Sequence, residues 1–266
     1  MSHPSRAGLD RHIAACNNAV LPGGRLRFHL AGHPVGWVKP ADAAAAVEHG
    51  AEIGADGLVL DDAAALPGLA RSMADAGLFV WREEAFDVRT EDGTAVLSQI
   101  DRGALPVFGI IAQGVHLNGL VQQPDGLHVW LARRSERRLL DPGQLDHLSA
   151  GGIPAGLDPL QTLIKEAREE AGLPEALARS ARSRGTITYV MDRPEGLRRD
   201  ILHCYDLVLP RNFTPTPLDG EVAGFELWPV GRVIDAVRDT DAFKFNVNLV
   251  LIGLFERLGL VERTVA

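Results

Sequence analysis

The segment that most limits how this chain can fold is Gly151-Gly152-Ile153-Pro154-Ala155-Gly156-Leu157, a glycine-rich loop. It runs into a charged stretch that closes at Gly172. Within that stretch Leu160, Leu163, Ile164, Ala167 and Ala171 recur at helical spacing and predict a helix over Pro159 to Ala171 with one apolar stripe. At ~100° per residue, Glu166 and Glu170 fall on one flank about 40° apart. Lys165 and Arg168 fall toward the other flank, and Glu169 faces away from the stripe beside Lys165. The charges are sorted by sign. Like charges at i,i+4 destabilise a helix, and a bound divalent cation would remove that penalty and hold both carboxylates ionised. Oxygen ligands suit Mg²⁺, which keeps several waters and shares its other positions with phosphate oxygens. Gly172 supplies a left-handed helix end, and the upstream glycines permit close backbone approach to an ion or phosphate. A Lys/Glu/Arg-rich helix on its own also reads as a solvated face; the glycine loop in front of it is what points to a site.

The rest of the chain bounds its class. The length of 266 residues predicts two domains or one large one. With 46% apolar and 23% charged residues, the composition is that of a water-soluble globular protein. The 27 basic residues against 35 acidic ones give −8, so no global basic field draws nucleic acid or anionic lipid. Cys16 and Cys204 are too few for a disulfide framework or zinc ribbon and predict reduced thiols in the cytoplasm. The longest apolar run, Val247 to Phe255, is broken by Asn248 and Gly253 and is too short to span a bilayer. The start, Met1 to Arg6, has no apolar segment behind it and predicts no secretory signal.

Leu9, Ile13, Cys16 and Val20 follow helical spacing. Arg25 to Val38 reads as a hairpin turning at Ala31-Gly32-His33-Pro34, and Pro40 and Gly50 frame a helix through Asp42 to Glu48. Gly57 to Leu60 reads as a strand leading into a helix that ends near Gly77; Leu78 to Val88 and Thr94 to Leu97 read as strands. Beyond these, strands are predicted over Val107 to Val121, Leu127 to Ala132, Thr186 to Met191 and Ile201 to Leu209, with a last helix from Val247 to Leu258. A break near Ser98 to Leu105 divides a small α+β domain, residues 1–102, from a mixed sheet with flanking helices, residues 103–266.

Gly151 to Leu173 resembles the Nudix box, G-x5-E-x7-R-E-U-x-E-E-x-G-U with U apolar. Gly151 takes the first glycine, Lys165 the arginine position, Glu166 the helix's first glutamate, and Ala167 the small apolar position. Glu169 and Glu170 take the acidic pair, Gly172 the second glycine and Leu173 the closing apolar residue. Leu157 replaces the early glutamate, with Asp158 beside it, which bears on loop geometry more than on chemistry. Lysine at 165 lacks arginine's bidentate fork. Further segments, Phe108-Gly109-Ile110, Gly114 to Gly119, Ala132 to Ser135, Asp219 to Val222 and Phe243 to Asn246, resemble the branch related to the Nudix domain fused to fungal thiamine pyrophosphokinase. In that branch lysine commonly precedes the first glutamate.

The resemblance implies an α/β/α sandwich with a mixed sheet, preceded by a small α+β domain. It implies hydrolysis of a diphosphate linkage with Mg²⁺ or Mn²⁺, the substrate being thiamine diphosphate or its oxo and oxy analogues, converted to the monophosphates. Two alternatives stay open: a nucleoside diphosphate derivative of the ADP-ribose type, or a ligand sensor that kept the shape and lost turnover. Glu166 and Glu170 are the candidate metal ligands, with Glu169 assisting and a carbonyl near Gly151 completing the shell. Glu221 is the candidate general base or additional ligand, against the reading of a plain Asp219-Gly220 turn. Arg133 and Arg134 are phosphate candidates, of which only one can face the site, since neighbouring strand residues point to opposite faces. His116 and Asn118, sharing a face by period two, and Lys244 are candidate substrate contacts. The expected partner is a small-molecule diphosphate, with no nucleic acid and no membrane. The N-terminal part is left to shape the pocket or to join a homodimer.

Overall fold

A computed structural model of the chain describes residues 6–137 and 139–262. Its elements run α1 (Ala7–Cys16), β1 (Leu26–Leu30), β2 (His33–Val38), α2 (Pro40–Glu48), β3 (Glu52–Gly54), β4 (Gly57–Leu60), α3 (Leu66–Asp75), β5 (Ala85–Arg89), β6 (Val96–Asp101) and α4 (Leu105–Phe108). They continue with β7 (Ile111–Gln123), β8 (Gly126–Arg134), β9 (Leu145–Asp146), β10 (Ser149–Gly152), α5 (Pro159–Ala171), α6 (Glu175–Ala178), β11 (Arg182–Arg193), β12 (Gly196–Val208), β13 (Val222–Pro229), α7 (Val230–Asp239) and α8 (Val247–Arg257).

The larger sheet has the order β11-β12-β7-β8-β13. β12 runs parallel to β7 while β11, β8 and β13 pair antiparallel, so the sheet is mixed, as expected. The long β7 gives one edge to β12 and divides the other, Gly114 to Leu117 pairing with β10 and Gly119 to Gln123 with β8. Helix α5 covers one face, burying Leu163, Ala167 and Ala171 with Val115 and Leu117 of β7 and Leu207 of β12. Helices α7 and α8 cover the other, through Val233, Val237, Leu251 and Phe255 against Leu120, Val129 and Leu131. This is the expected α/β/α sandwich, because adjacent residues of a strand serve opposite faces. Helix α1 joins the α7–α8 layer through Leu9. The first part of the chain forms a four-stranded sheet, β2-β1-β4-β3, and the β5–β6 ribbon, around a core that includes Phe28, Leu58, Met73, Phe86 and Ile100.

Several boundaries differ from the sequence reading for local reasons. Val20 lies beyond α1 and is 78% exposed. The strand expected from Leu78 begins only at Ala85, because the buried Asp101 carboxylate accepts the Arg82, Glu84 and Gly103 amides and holds them in a turn. The strand expected from Val107 is preceded by the short α4, opened by Pro106 and closed by Gly109 at φ 56°. The glycine-rich stretch is not all loop: Gly151 and Gly152 belong to β10 and pair with Val115 and Gly114. Both cysteines are buried and free, in one cluster with Tyr189 and Leu202.

Candidate functional site

Helix α5 forms over the predicted residues, and its start has a specific cause. Asp158 accepts the Gln161 amide at 2.8 Å, and the Gln161 side chain accepts the Asp158 amide at 3.0 Å, a reciprocal cap with Pro159 in the first turn. Leu157, where the box has glutamate, packs against the core beneath the helix. Leu160 was expected in the apolar stripe but is 38% exposed, and Thr162 is buried in its place. Gly172 closes the helix at φ 64°. Lys165 bridges Glu166 at 3.0 Å and Glu169 at 2.8 Å. Burial alone would lower its pKa, but the hydrogen bonds it donates to the two carboxylates outweigh burial and raise it, so the ammonium stays charged.

Strand β10 and α5 then fix two carboxylates. The Ala150 amide donates to Glu170 Oε2 at 2.8 Å. At Gly151 a β-carbon would lie 2.4 Å from the Glu166 carboxylate carbon, so only glycine leaves room for that group. Glu170 is buried, and its pKa is pushed up to about 8, first by burial and then by Asp146 and Glu166. Glu166 is raised as well, chiefly by burial, against the pull of Lys165 and with Glu169 and Glu221 adding to it. Glu169 lies on the exposed side of the helix.

A helix ends with unpaired carbonyls, and here a loop takes them up. The Thr216 amide donates to Ala171 O at 3.0 Å, and the Leu218 amide to Glu169 O at 3.2 Å. This tether brings the turn that follows up to the helix. The Glu221 amide donates to Asp219 Oδ1 at 2.8 Å, and Gly220 takes φ 80°. Glu170, Asp219 and Glu221 consequently bring carboxylate oxygens within 4.8 Å of one another. The sequence reading of the Asp219-Gly220-Glu221 run marks Glu221 alone as a candidate, against a plain turn; the structure adds Asp219 to it. Glu170 is buried, Glu221 half-buried and Asp219 exposed; carboxylates this close repel, a cation among them relieves the repulsion, and an all-oxygen donor set suits Mg²⁺ or Mn²⁺. The residues present therefore fit a divalent cation.

Beside the acidic group lies a small cleft lined by Ala132, Arg134, Asp146, His147, Glu170, Glu221 and Val222. Of the two arginines, Arg134 is the one turned inward. It donates to Asp146 Oδ2 at 2.8 Å, to Leu140 O at 2.7 Å and to Asp141 O at 3.0 Å. Arg133 points away, paired with Glu226 on the exposed side of β8. Lys244 Nζ also approaches Asp146 Oδ2, at 3.6 Å. Burial would raise the Asp146 pKa, but Lys244, His147 and Arg134 outweigh it and hold the carboxyl well below its ordinary range. His147 is pulled down to about 4, by burial first, and is neutral. Its ring meets His116 edge to face at 5.0 Å.

His116 and Asn118 do share a face of β7, yet both are buried. Asn118 donates to Asp206 Oδ1 at 2.8 Å, and Asp206 is held in turn by Arg257 of α8. His116 packs on His147 of the cleft wall, while Asn118 is held by Asp206. The structure thus brings together Glu166, Glu170, Glu221, Gly151, Arg134 and Lys244, sets Glu169 on the exposed side of α5, where Lys165 links it to Glu166, and leaves Arg133 outside.

A family model described as the NUDIX domain matches residues 114–247. The chain belongs to the Nudix family. It is 39% identical over 181 residues to Nudix hydrolase 24, chloroplastic, of Arabidopsis thaliana, covering 68% of this chain and 50% of that protein. It is also 30% identical over 200 residues to the uncharacterized protein YJR142W of Saccharomyces cerevisiae, covering 70% of this chain and 58% of that protein. This Nudix chain spans about half the length of the curated relatives it matches. Among solved structures, DR0079 from Deinococcus radiodurans aligns with a TM-score of 0.52 at 22% identity, over 64% of this chain and 98% of that one, and shares the fold. No helix of the described residues is long and apolar enough to cross a membrane.

Proposed function

We propose that this Nudix chain hydrolyses the diphosphate linkage of a small molecule, with a divalent cation held by Glu166 and Glu170, supported by Glu169, Asp219 and a carbonyl near Gly151, and with Glu221 beside it as the base. The observation that carries this reading is the close approach of Glu170, Asp219 and Glu221 beside a glycine that leaves room for Glu166. When bound, the cation neutralises phosphate charge and makes a water more acidic. The side chains do the rest. Glu170 would hold the cation as a carboxylate, its proton released to solvent. Glu166 stays beside Gly151 under the charge of Lys165. Glu221, which lines the cleft, takes the proton of the attacking water. Arg134 places positive charge in the wall where a phosphate group would lie, with Lys244 beside it and Asp146 holding both in position.

Within this class we read the substrate as thiamine diphosphate or its oxo and oxy analogues. The segments that resemble the thiamine-linked branch supply Ala132, Arg134, Glu221 and Val222 to the cleft wall, and Lys244 beside it, which supports that reading. We assign residues 1–102 and 103–266 to two domains, the junction falling in the turn between β6 and α4. We place the chain in the cytoplasm on its two buried free thiols, although the plant relatives are named chloroplastic.

The test is a panel of diphosphates, including thiamine, oxothiamine, ADP-ribose and dinucleotide compounds, with and without Mg²⁺ or Mn²⁺, read by product mass. The expected result is cation-dependent conversion of the thiamine-type compounds to monophosphates. Turnover of ADP-ribose alone would move the substrate to the nucleotide class, and cation-dependent binding without any product would make the chain a sensor.

A further inference from the structure

The first part of the chain carries no catalytic motif, yet it touches the site at one defined place. Gly151 and Gly152 are successive residues of β10, so their missing side chains point to opposite faces of the strand. On one face a β-carbon would strike the Glu166 carboxylate; on the other, at Gly152, it would lie 2.4 Å from Cζ of Phe86. Strand β10 is therefore clamped between a carboxylate of α5 and an aromatic ring of β5.

That ring is firmly rooted. Phe86 is 3% exposed, pairs with Ile100 across the ribbon and belongs to the core of the first part of the chain. The Arg102 guanidinium lies 5.8 Å from its ring centre. The residues on both sides of Phe86 also hold the chain leaving β10: the Ala85 carbonyl accepts the Ala155 amide at 2.8 Å, and the Asp87 carboxylate, through Oδ2, accepts the Gly156 amide at 3.3 Å. β10 itself is a short strand paired along one edge, to β7, and its other edge carries the Ala150 amide that holds Glu170. Any shift of β10 moves the support of Glu166 and Glu170 together.

We propose that Phe86 is a positioning residue for the cation site, acting through Gly152 to set the strand against which Glu166 and Glu170 are placed. The proposal rests on the cation-site reading above. It makes the β5–β6 ribbon part of the working site, supplying no ligand but fixing where the ligands stand.

The test is Mn²⁺ binding to the full chain, followed by electron paramagnetic resonance of free Mn²⁺, with a thermal melt of each variant in chelator. Phe86→Ala is expected to weaken Mn²⁺ binding at least about tenfold, with Phe86→Leu retaining most of the affinity. Gly152→Ala is expected to weaken binding too, and in the Phe86→Ala background to cost less or restore affinity, because the added methyl enters the vacated space. A purely structural Phe86 would lower the melting temperature and leave Mn²⁺ affinity unchanged in Phe86→Leu, Gly152→Ala and every folded variant; that result overturns the proposal. Glu170→Gln separates the two readings. If it abolishes binding while the Phe86 and Gly152 variants bind normally, only the positioning role fails. If it binds like the parent chain, the cation site itself is misplaced.

Discussion

Glu166 lies against Gly151 so closely that the smallest side chain at 151 would occupy the place of its carboxylate. Gly151→Ala is therefore expected to expel Glu166 while leaving the helix, whose cap lies at Asp158, intact. Diphosphatase activity should fall about 100-fold or more, the scale of a misplaced reacting group. Melting temperature should change little. A variant that keeps the parent's kcat/KM would show that Glu166 works elsewhere.

Glu170 gives a stability signature with a definite sign. Its pKa is pushed up from 4.5 to about 8, so the folded chain keeps a proton that the unfolded chain has already released. Cation-free stability should fall as pH rises through that interval. Glu170→Gln, which has no proton to lose, should melt higher than the parent at about pH 8 and no higher at about pH 5, with chelator present throughout. Added Mg²⁺ should stabilise the parent more at the higher pH, since deprotonated ligands bind it. An equal offset at both values would contradict the assignment.

Arg133 and Arg134 should separate cleanly. Arg134→Ala strips a buried guanidinium from Asp146 and two carbonyls, and a broken buried pair costs about 3 kcal/mol or more. Arg133→Ala loses an exposed pair with Glu226, worth below about 1 kcal/mol. Urea unfolding measures both, and similar losses would mean that the inward and outward roles are misassigned.

Lys165 lowers the pKa of Glu166, which burial raises. Lys165→Met should therefore move the acidic limb of the pH–rate profile upward and cut activity below neutrality by about tenfold, one pKa unit being a tenfold change in the ionised fraction. Lys165→Arg should keep the limb near its original position. An unmoved limb in the methionine variant would remove Lys165 from the electrostatics of the site.

What could be read from the residues was what is local in sequence. The α5 periodicity, the glycine that ends it and the pairing of Lys165 with Glu169 all lie within one helix, where spacing alone fixes which side chains are neighbours; the expected separation of Lys165 from Glu166 does not hold, because the long lysine side chain reaches back to the Glu166 carboxylate at 3.0 Å. Period two correctly paired His116 with Asn118, but it could not reveal that Asp206 and Arg257, distant in sequence, close that face. Likewise it said that one of Arg133 and Arg134 turns inward without saying which. Asp219 was hidden for a related reason: its position depends on the amides of Thr216 and Leu218 finding carbonyls at the end of α5, and backbone pairing leaves no mark on side-chain pattern. The role of Gly152 was equally invisible, because the ring that fills its notch comes from the β5–β6 ribbon.

The tether of that loop also bears on how such a site can diversify. Thr216 and Leu218 are held through main-chain amides, which every residue except proline possesses. Their side chains are thus free to be exchanged, lengthened or made aromatic while the acidic turn beyond them keeps its place. A lineage could let that loop drift, one substitution at a time, without ever passing through an ancestor whose acidic turn had come adrift.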